Sequence, residues 1–385
     1  MLQTTIGYNG QSSTPGPFNP NPASYRPSTI PTPGSIIPTT IEALDPEYRF
    51  PQTWKSSLGL DTRLTPTTIL TLEAIFNKDI HTAVFNNVNL VSPAALNVAG
   101  YPDNRMIYPN ATNLKYINPV MSTPAAGTVV FVPNGAVAPS GSSIQAANVI
   151  RMDNGNKGYY FSFSAQLSKQ IGKTLNINLA YTKSLAANLF DGNGDQPLSA
   201  WQSTNVGLRS PNDPALSYTN YVIPDRLSAS ISFRKEFVKH LATSISLFYN
   251  GSMDGRFSYT YGGDFNRDGF TGNDLIYIPK DPSEIDFTSF AFPNSVTYSA
   301  QQQKDLFFKY IEQDKYLRAH KGQFAERNGG QFPWRNQFDA KLMQDVFVNL
   351  GKKRNTFQFT IDVFNFGNLL NPQWGIVKTL NATSG

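Results

Sequence analysis

Gly158-Tyr159-Tyr160-Phe161-Ser162-Phe163-Ser164-Ala165-Gln166-Leu167-Ser168, continuing through Lys169-Gln170-Ile171-Gly172-Lys173 to Thr174-Leu175-Asn176-Ile177-Asn178-Leu179-Ala180-Tyr181-Thr182, decides the fold. In the first arm Tyr159, Phe161, Phe163, Ala165 and Leu167 take every second place, with Ser162, Ser164, Gln166 and Ser168 between them. In the second arm Leu175, Ile177, Leu179 and Tyr181 alternate with Asn176, Asn178 and Thr182. A strand sends successive side chains to opposite faces, so each arm has one apolar and one wet face. The short link carrying Gly172 and two lysines predicts an antiparallel hairpin. Its polar face is too uniformly polar to be a core.

The same unit recurs. Trp54, Ser56, Leu58 and Leu60 alternate before a turn at Thr62–Pro66, and Leu70, Leu72, Ala74 and Phe76 alternate after it. Leu227, Ala229, Ile231 and Phe233 precede a turn over Arg234–His240, and Thr243, Ile245, Leu247 and Tyr249 follow. The last hairpin runs from Trp334 through Phe338, Ala340 and Leu342 to Val348. It turns at Gly351–Arg354 and returns through Phe357, Phe359, Ile361 and Val363. A further strand is expected to start near Trp374.

Composition excludes several classes. The 385 residues carry 15% charged and 13% aromatic side chains with a net charge of +5, spread without the basic block that tracks phosphates, so nucleic acid is not expected as a partner. Cysteine is absent, which removes disulfides, thiol nucleophiles and thiolate metal sites. No apolar run is long enough for a membrane-spanning helix. Met1-Leu2-Gln3-Thr4-Thr5 has neither a basic nor an apolar signal region. Residues 1–50 are rich in Pro, Ser, Thr and Asn and are expected to be irregular, because proline removes ladder donors.

Between the short turns lie three long aperiodic excursions, about 88–157, 184–224 and 251–333, all on the same side of the hairpins. The third holds one helix, with Ser299 and Gln302 as a capping box and Gly322 as its stop. Loops this long count against a compact soluble domain. They are normal at one rim of an outer-membrane barrel, whose other rim carries tight turns. Aromatics also gather at the arm ends (Trp54, Tyr159, Tyr181, Tyr249, Trp334, Phe364). The expectation is an all-β, antiparallel transmembrane β-barrel portion of about eight or nine strands over residues 51–385. A soluble sandwich or propeller is the competing reading of the same alternation.

Four stretches carry a resemblance. They are Trp54–Leu90 with its Asn77-Lys78-Asp79-Ile80 and Asn87-Val88-Asn89-Leu90, and Tyr221-Val222-Ile223-Pro224-Asp225-Arg226-Leu227. Tyr259–Gly269 with Asn273-Asp274-Leu275-Ile276-Tyr277-Ile278-Pro279 is the third, and Asp362–Asn371 with Trp374-Gly375 the fourth. Together, over about 50–380, they resemble the TonB-dependent outer-membrane receptors of the Bacteroidota, of the Oar-like and SusC-like kind. The resemblance implies a 22-stranded barrel, a plug and a TonB box, and an outer-membrane location. This chain shows fewer strands and neither plug nor TonB box, so it is expected to be the C-terminal part of such a receptor. The implied partners are outer-membrane lipid, a TonB complex reached through a missing N-terminal part, and a surface lipoprotein.

One stretch suggests metal chemistry. Asp264-x-Asn266-x-Asp268-Gly269 puts oxygen side chains at alternate positions before a glycine, as calcium loops do, with the Phe270 carbonyl next. Position twelve is Leu275, and Asp274 sits one residue early, so calcium is the candidate cofactor on an incomplete pattern. An Asx-turn loop bonding its own backbone is the competing reading. Asp191, Asn193 and Asp195 form a shorter version. Tyr101, Tyr108, Trp201, Tyr259 and Tyr261 are the loop aromatics offered for stacking on sugar rings or peptide side chains. Gly172-Lys173-Thr174 and Gly192-x-Gly194 fail as nucleotide loops, His81, His240 and His320 have no ligand spacing, and no nucleophile motif appears, so an enzyme is not expected. The functional expectation is a segment of a receptor for TonB-dependent uptake of a large nutrient, a glycan or peptide. The alternatives are a small self-contained porin-like barrel and a soluble secreted β-protein binding calcium and carbohydrate.

Overall fold

The computed structural model describes Asn21 and residues 40–378, apart from 124–127, 239, 292–295 and 352. The expected irregularity of residues 1–39 lies outside the described residues, Asn21 excepted. Ten strands build the main sheet: β1 (Thr40–Leu44), β2 (Gln52–Thr65), β3 (Thr68–Asn87), β4 (Asn148–Gly155), β5 (Tyr159–Ile171), β6 (Leu175–Asn188), β7 (Asp225–Val238), β8 (Leu241–Met253), β9 (Trp334–Leu350) and β10 (Lys353–Val363). A two-residue strand, Ser217–Tyr218, extends it beside β6.

Apart from β1 and β4, neighbours in sequence are neighbours in the sheet, giving an antiparallel meander β2-β3-β5-β6-β7-β8-β9-β10. The tight turns all fall at one end. Gly172 and Gly351 adopt positive φ of 59° and 61° there, where a side chain would be strained. Two turns are tighter than their sequences suggest. β2 runs on to Thr65, whose Oγ1 lies 2.8 Å from Thr68 Oγ1, and β7 runs on to Val238 through a bulge after Glu236. Polar residues near this rim reach water from inside the ladder, so their side chains end the apolar period before the pairing ends.

The register fixes which side chains share a face. One row reads Leu175, Phe233, Ile245, Leu342 and Ile361 across five strands, and the next reads Ile177, Ile231, Leu247, Ala340 and Val363. Toward the other edge Phe161 stands between Phe76 and Leu185, and Leu167 between Leu70 and Leu179. The opposite face reads Gln170, Asn176, Ser232, Ser246, Lys341 and Asp362 in a single row. Its side chains bond across strands: Ser164 with Thr182 at 3.0 Å, Ser168 to Asn178 at 2.8 Å, and Arg234 to Asp345 at 2.6 Å.

Exposure is inverted relative to a water-soluble sheet. Phe161 and Phe163 are each 39% exposed, whereas Ser162 between them is 4% exposed. Leu179, Ile231, Ile245, Leu247 and Leu342 likewise stand exposed on the apolar face. The two ends of the meander do not pair with each other: all of β10 is exposed, and all of β2 except Thr62. A closed barrel is therefore not what the described residues form.

Three sequence expectations need correction. The segment before residue 50 contains β1, which pairs in parallel with β4, Thr40 opposite Asn148 and Leu44 opposite Met152. The first excursion, expected to be aperiodic to residue 157, contributes β4, which prolongs the line of β5 along β3. At the break between them Gly158 lies against Asp79, where an added Cβ would fall 1.8 Å from Oδ2. Neither feature has a local signal, since pairings of five or six residues depend on what the fold places alongside. Around Trp374 the chain forms turns instead of the expected strand, after a short helix at Gly367–Leu370.

Candidate functional site in the loop assembly

The three excursions fold together above the far rim. Leu90, Tyr108, Tyr116, Ile150 and Trp201 form one core, joining the first excursion, β4 and helix α1 (Pro197–Gln202). Leu275, Ile278, Ile311, Leu317 and Ala325 form a second within the third excursion. That core is closed by α2 (Ala300–Gln313), which has the expected Ser299–Gln302 capping box, and by α3 (Lys315–Ala319). Asp314 caps α3 and ends α2 well before Gly322, so the loop contains a broken helix rather than one continuous piece.

Two buried arginines tie the excursions to one another. Arg105 is fully buried, bridging Asp103 at 2.8 Å and Asp274 at 3.2 Å, and its Nη2 donates to the Leu275 carbonyl at 2.9 Å. Its guanidinium also lies against the rings of Tyr261, Phe265 and Phe324. Arg327 donates to the Leu189 carbonyl at 2.9 Å and faces Asp191 at 3.7 Å. Sequence spacing reveals neither link, because the partners lie more than a hundred residues apart.

Those links decide the fate of the candidate metal residues. Asp274 is buried with Oδ1 on Arg105, while Oδ2 accepts from the N–H groups of Phe265 (2.7 Å) and Asn266 (3.2 Å). Asp191 is held by Arg327 and by Asn328 Nδ2 at 2.6 Å, while Asn193 Oδ1 accepts from the Tyr221 hydroxyl and Asp195 Oδ1 from the Ser199 hydroxyl. The remaining loop closes tightly. Gly269 N–H donates to Asp264 Oδ2 at 2.9 Å, Asp268 N–H to Asn266 Oδ1 at 2.8 Å, and Phe270 N–H to Asp268 Oδ1 at 2.8 Å. Asp268 Oδ2 accepts from Asn266 Nδ2 (3.0 Å) and from Asn273 Nδ2 (2.8 Å). Burial pushes the Asp268 carboxyl up to about 6, against the pull of those two amides. No group of three or more His, Cys, Asp or Glu side chains is placed to hold a metal among the described residues. Asn273, which the sequence pattern passes over, is the residue that meets Asp268.

Two of the five loop aromatics are core residues, and the other three are half-buried beside neighbouring side chains. Tyr108 and Trp201 are both 1% exposed inside the first core, with Trp201 Nε1 donating to Asn212 Oδ1 at 2.8 Å. Tyr259 donates to Asp314 Oδ2 at 2.7 Å and stacks on Tyr316, Tyr261 stacks on Phe265, and Tyr101 lies close to Tyr261. Aromatic density marks loops that need a core of their own, and it does not say which rings reach solvent. A cleft of about 430 Å³ is lined by other rings: Tyr218, Tyr316, Phe332 and Trp334 border it together with Arg256, which lies 4.0 Å above the Tyr218 ring.

No family model, no curated protein and no solved structure matches this chain.

Proposed function

We propose that this chain is a wall-and-loop section of an outer-membrane receptor that takes part in TonB-dependent uptake of a large nutrient such as a glycan or peptide. The observation that carries the membrane part is the inverted exposure of the sheet. Each large apolar side chain left in water forgoes roughly 1.5–3 kcal/mol of burial, a cost that rows of Phe, Leu and Ile across the sheet would multiply. Facing lipid removes it, and the serine and asparagine rows then face water. The loop asymmetry supports the same reading, with tight turns at one rim and three packed excursions at the other.

The unpaired flanks of β2 and β10 say what the wall requires. Inside hydrocarbon every backbone group must be paired, so the meander works only when strands close it. Further strands of a larger barrel fill that need in the receptor reading. Direct pairing of β2 with β10 fills it in the small porin-like alternative. The uptake role rests on the sequence resemblance of the Trp54–Leu90, Tyr221–Leu227, Tyr259–Pro279 and Asp362–Asn371 stretches. The surface-lipoprotein and TonB partners belong to that same part of the proposal.

The chain's lack of cysteine makes the test clean. Single cysteines at Ile231 and Leu247 report the apolar face, and at Ser230 and Ser246 the polar face. In cells the first pair should react with a lipid-soluble maleimide and resist a charged one, while the second pair shows the opposite preference. Equal labelling of all four by the charged reagent would remove the membrane placement, and the transport role with it.

A further inference from the structure

We propose that the 264–273 loop binds a single calcium-like divalent cation through side-chain oxygens of Asp264, Asn266, Asp268 and Asn273. Asn273 carries the inference. It is 1% exposed and its amide is aimed at Asp268, yet its Oδ1 has no hydrogen-bond partner. Buried acceptors without partners are uncommon, and each calls for a cause. Asp264 repeats the pattern. Its Oδ2 is used by the Gly269 N–H, and its buried Oδ1 has no hydrogen-bond partner.

The spacing suits an ion. Oxygens about 2.4 Å from calcium in a pentagonal-bipyramidal shell lie roughly 2.8 Å from their neighbours. Asn273 and Asn266 reach Asp268 Oδ2 through their amide nitrogens at 2.8 Å and 3.0 Å, which holds the Oδ1 of each amide beside that carboxylate. Asn273 Oδ1, without a hydrogen-bond partner, is the acceptor left for an ion in the orientation the structure gives. Asn266 Oδ1 spends one lone pair on the Asp268 N–H and keeps a second.

Charge points the same way. Arg105 is shared by Asp103 and Asp274, so the paired cluster already carries an excess negative charge. Asp264 acts electrostatically on both Asp268 and Asp274, and no basic side chain pairs with either Asp264 or Asp268 among the described residues. Asp268 and Gly269 border a cavity of about 280 Å³, shared with Lys115, Asn148 and Gln202, that leads to solvent. Oxygen-only ligands with two carboxylates favour calcium over magnesium, which demands a stricter octahedron, and over softer metals. The inference needs only the loop and is independent of whether the sheet faces lipid.

Calcium chloride titrated into the refolded full chain, followed by calorimetry and by terbium luminescence sensitised through the nearby tyrosines, tests this. Binding with a dissociation constant on the order of 10⁻⁴ M is expected, as for extracellular calcium modules, with magnesium at least tenfold weaker. Asp268→Asn should weaken calcium at least tenfold, and Asn273→Asp, which adds a carboxylate, should tighten it. In a loop that only bonds itself, Asn273→Asp sets two carboxylates together and lowers the melting temperature whether or not calcium is added. That result, or a wild-type chain giving neither heat nor luminescence, overturns the proposal.

Discussion

Arg105 and Asp274, both fully buried, meet at 3.2 Å across 169 residues of sequence, and this ion pair fastens the first excursion to the third. Removing one partner of a buried pair leaves the other charge unpaired in a medium that solvates it poorly. Arg105→Met therefore strands Asp103 and Asp274 together. It should destabilise the loop assembly by about 3–5 kcal/mol. Hydrogen exchange should show the loops opening while the ladder amides of β5 to β9 keep their protection.

Trp201 makes a different kind of link. It fills the first loop core and donates to Asn212, whose own Nδ2 donates back to the Asn87 carbonyl at the end of β3. Trp201→Ala should cost about 3–5 kcal/mol, the usual range for emptying such a site. Limited proteolysis should cut within 189–224 first, leaving the strand region intact.

Gly251 is a packing glycine on the apolar face. Tyr249 and Trp334 close over it, Tyr249 donating to Asn336 Oδ1 at 2.7 Å and Trp334 Nε1 to the Tyr249 hydroxyl at 3.1 Å. A Cβ there would fall 2.2 Å from the Tyr249 hydroxyl and 2.6 Å from the Trp334 ring. Gly251→Val should displace both rings and cost about 1–3 kcal/mol by overpacking. A shifted or weakened tryptophan emission and a lower melting temperature are the readouts, measured with Trp54 and Trp374 replaced by phenylalanine and the buried Trp201 kept.

Alkali should open the first loop core. Burial pushes the hydroxyls of Tyr108 and Tyr116 up to about 12 from an ordinary value of 10.0. The folded state holds these protons more tightly than the unfolded state. Their contribution is thus complete below pH 10 and is lost as pH rises toward 12, by roughly 2–3 kcal/mol for each ring. Absorbance at the phenolate band should show both ionising together with loss of near-ultraviolet dichroism. Ionisation near the ordinary value, with the loops still folded, would contradict their burial.

Depth dependence separates the two faces. Leu247→Arg places a charge on the apolar face near mid-strand, where a lipid setting costs about 2–4 kcal/mol. Ser246→Arg, its sheet neighbour on the polar face, should cost little. Refolding yield into bilayers compares them, and equal yields would argue that both faces meet water.

The hairpins were legible because their signal is local. Period-two alternation in Tyr159–Leu167 or Leu241–Tyr249 assigns each side chain to a face before any partner is known, and the lysine- and glycine-bearing turns bring the arms together. The capping box at Ser299 was legible for the same reason. Strand ends were less so, since polar residues inside a ladder near water look like turn residues. The pairing of β1 with β4 and the absence of a strand at Trp374 had no local sign at all.

For the candidate site the division falls between identity and company. The spacing of Asp264, Asn266 and Asp268 marks them in the sequence, and the structure brings them into one turn. Only the folded loops show that Asp274 belongs to Arg105, that Asn273 takes its place beside Asp268, and that Trp201 and Tyr108 are core rather than contact surface. Sequence alone determined the two-faced sheet, because alternation is set one residue at a time by backbone geometry. Tertiary structure decided which loop side chains are buried, paired or left without a partner, because those fates depend on groups brought together from distant parts of the chain.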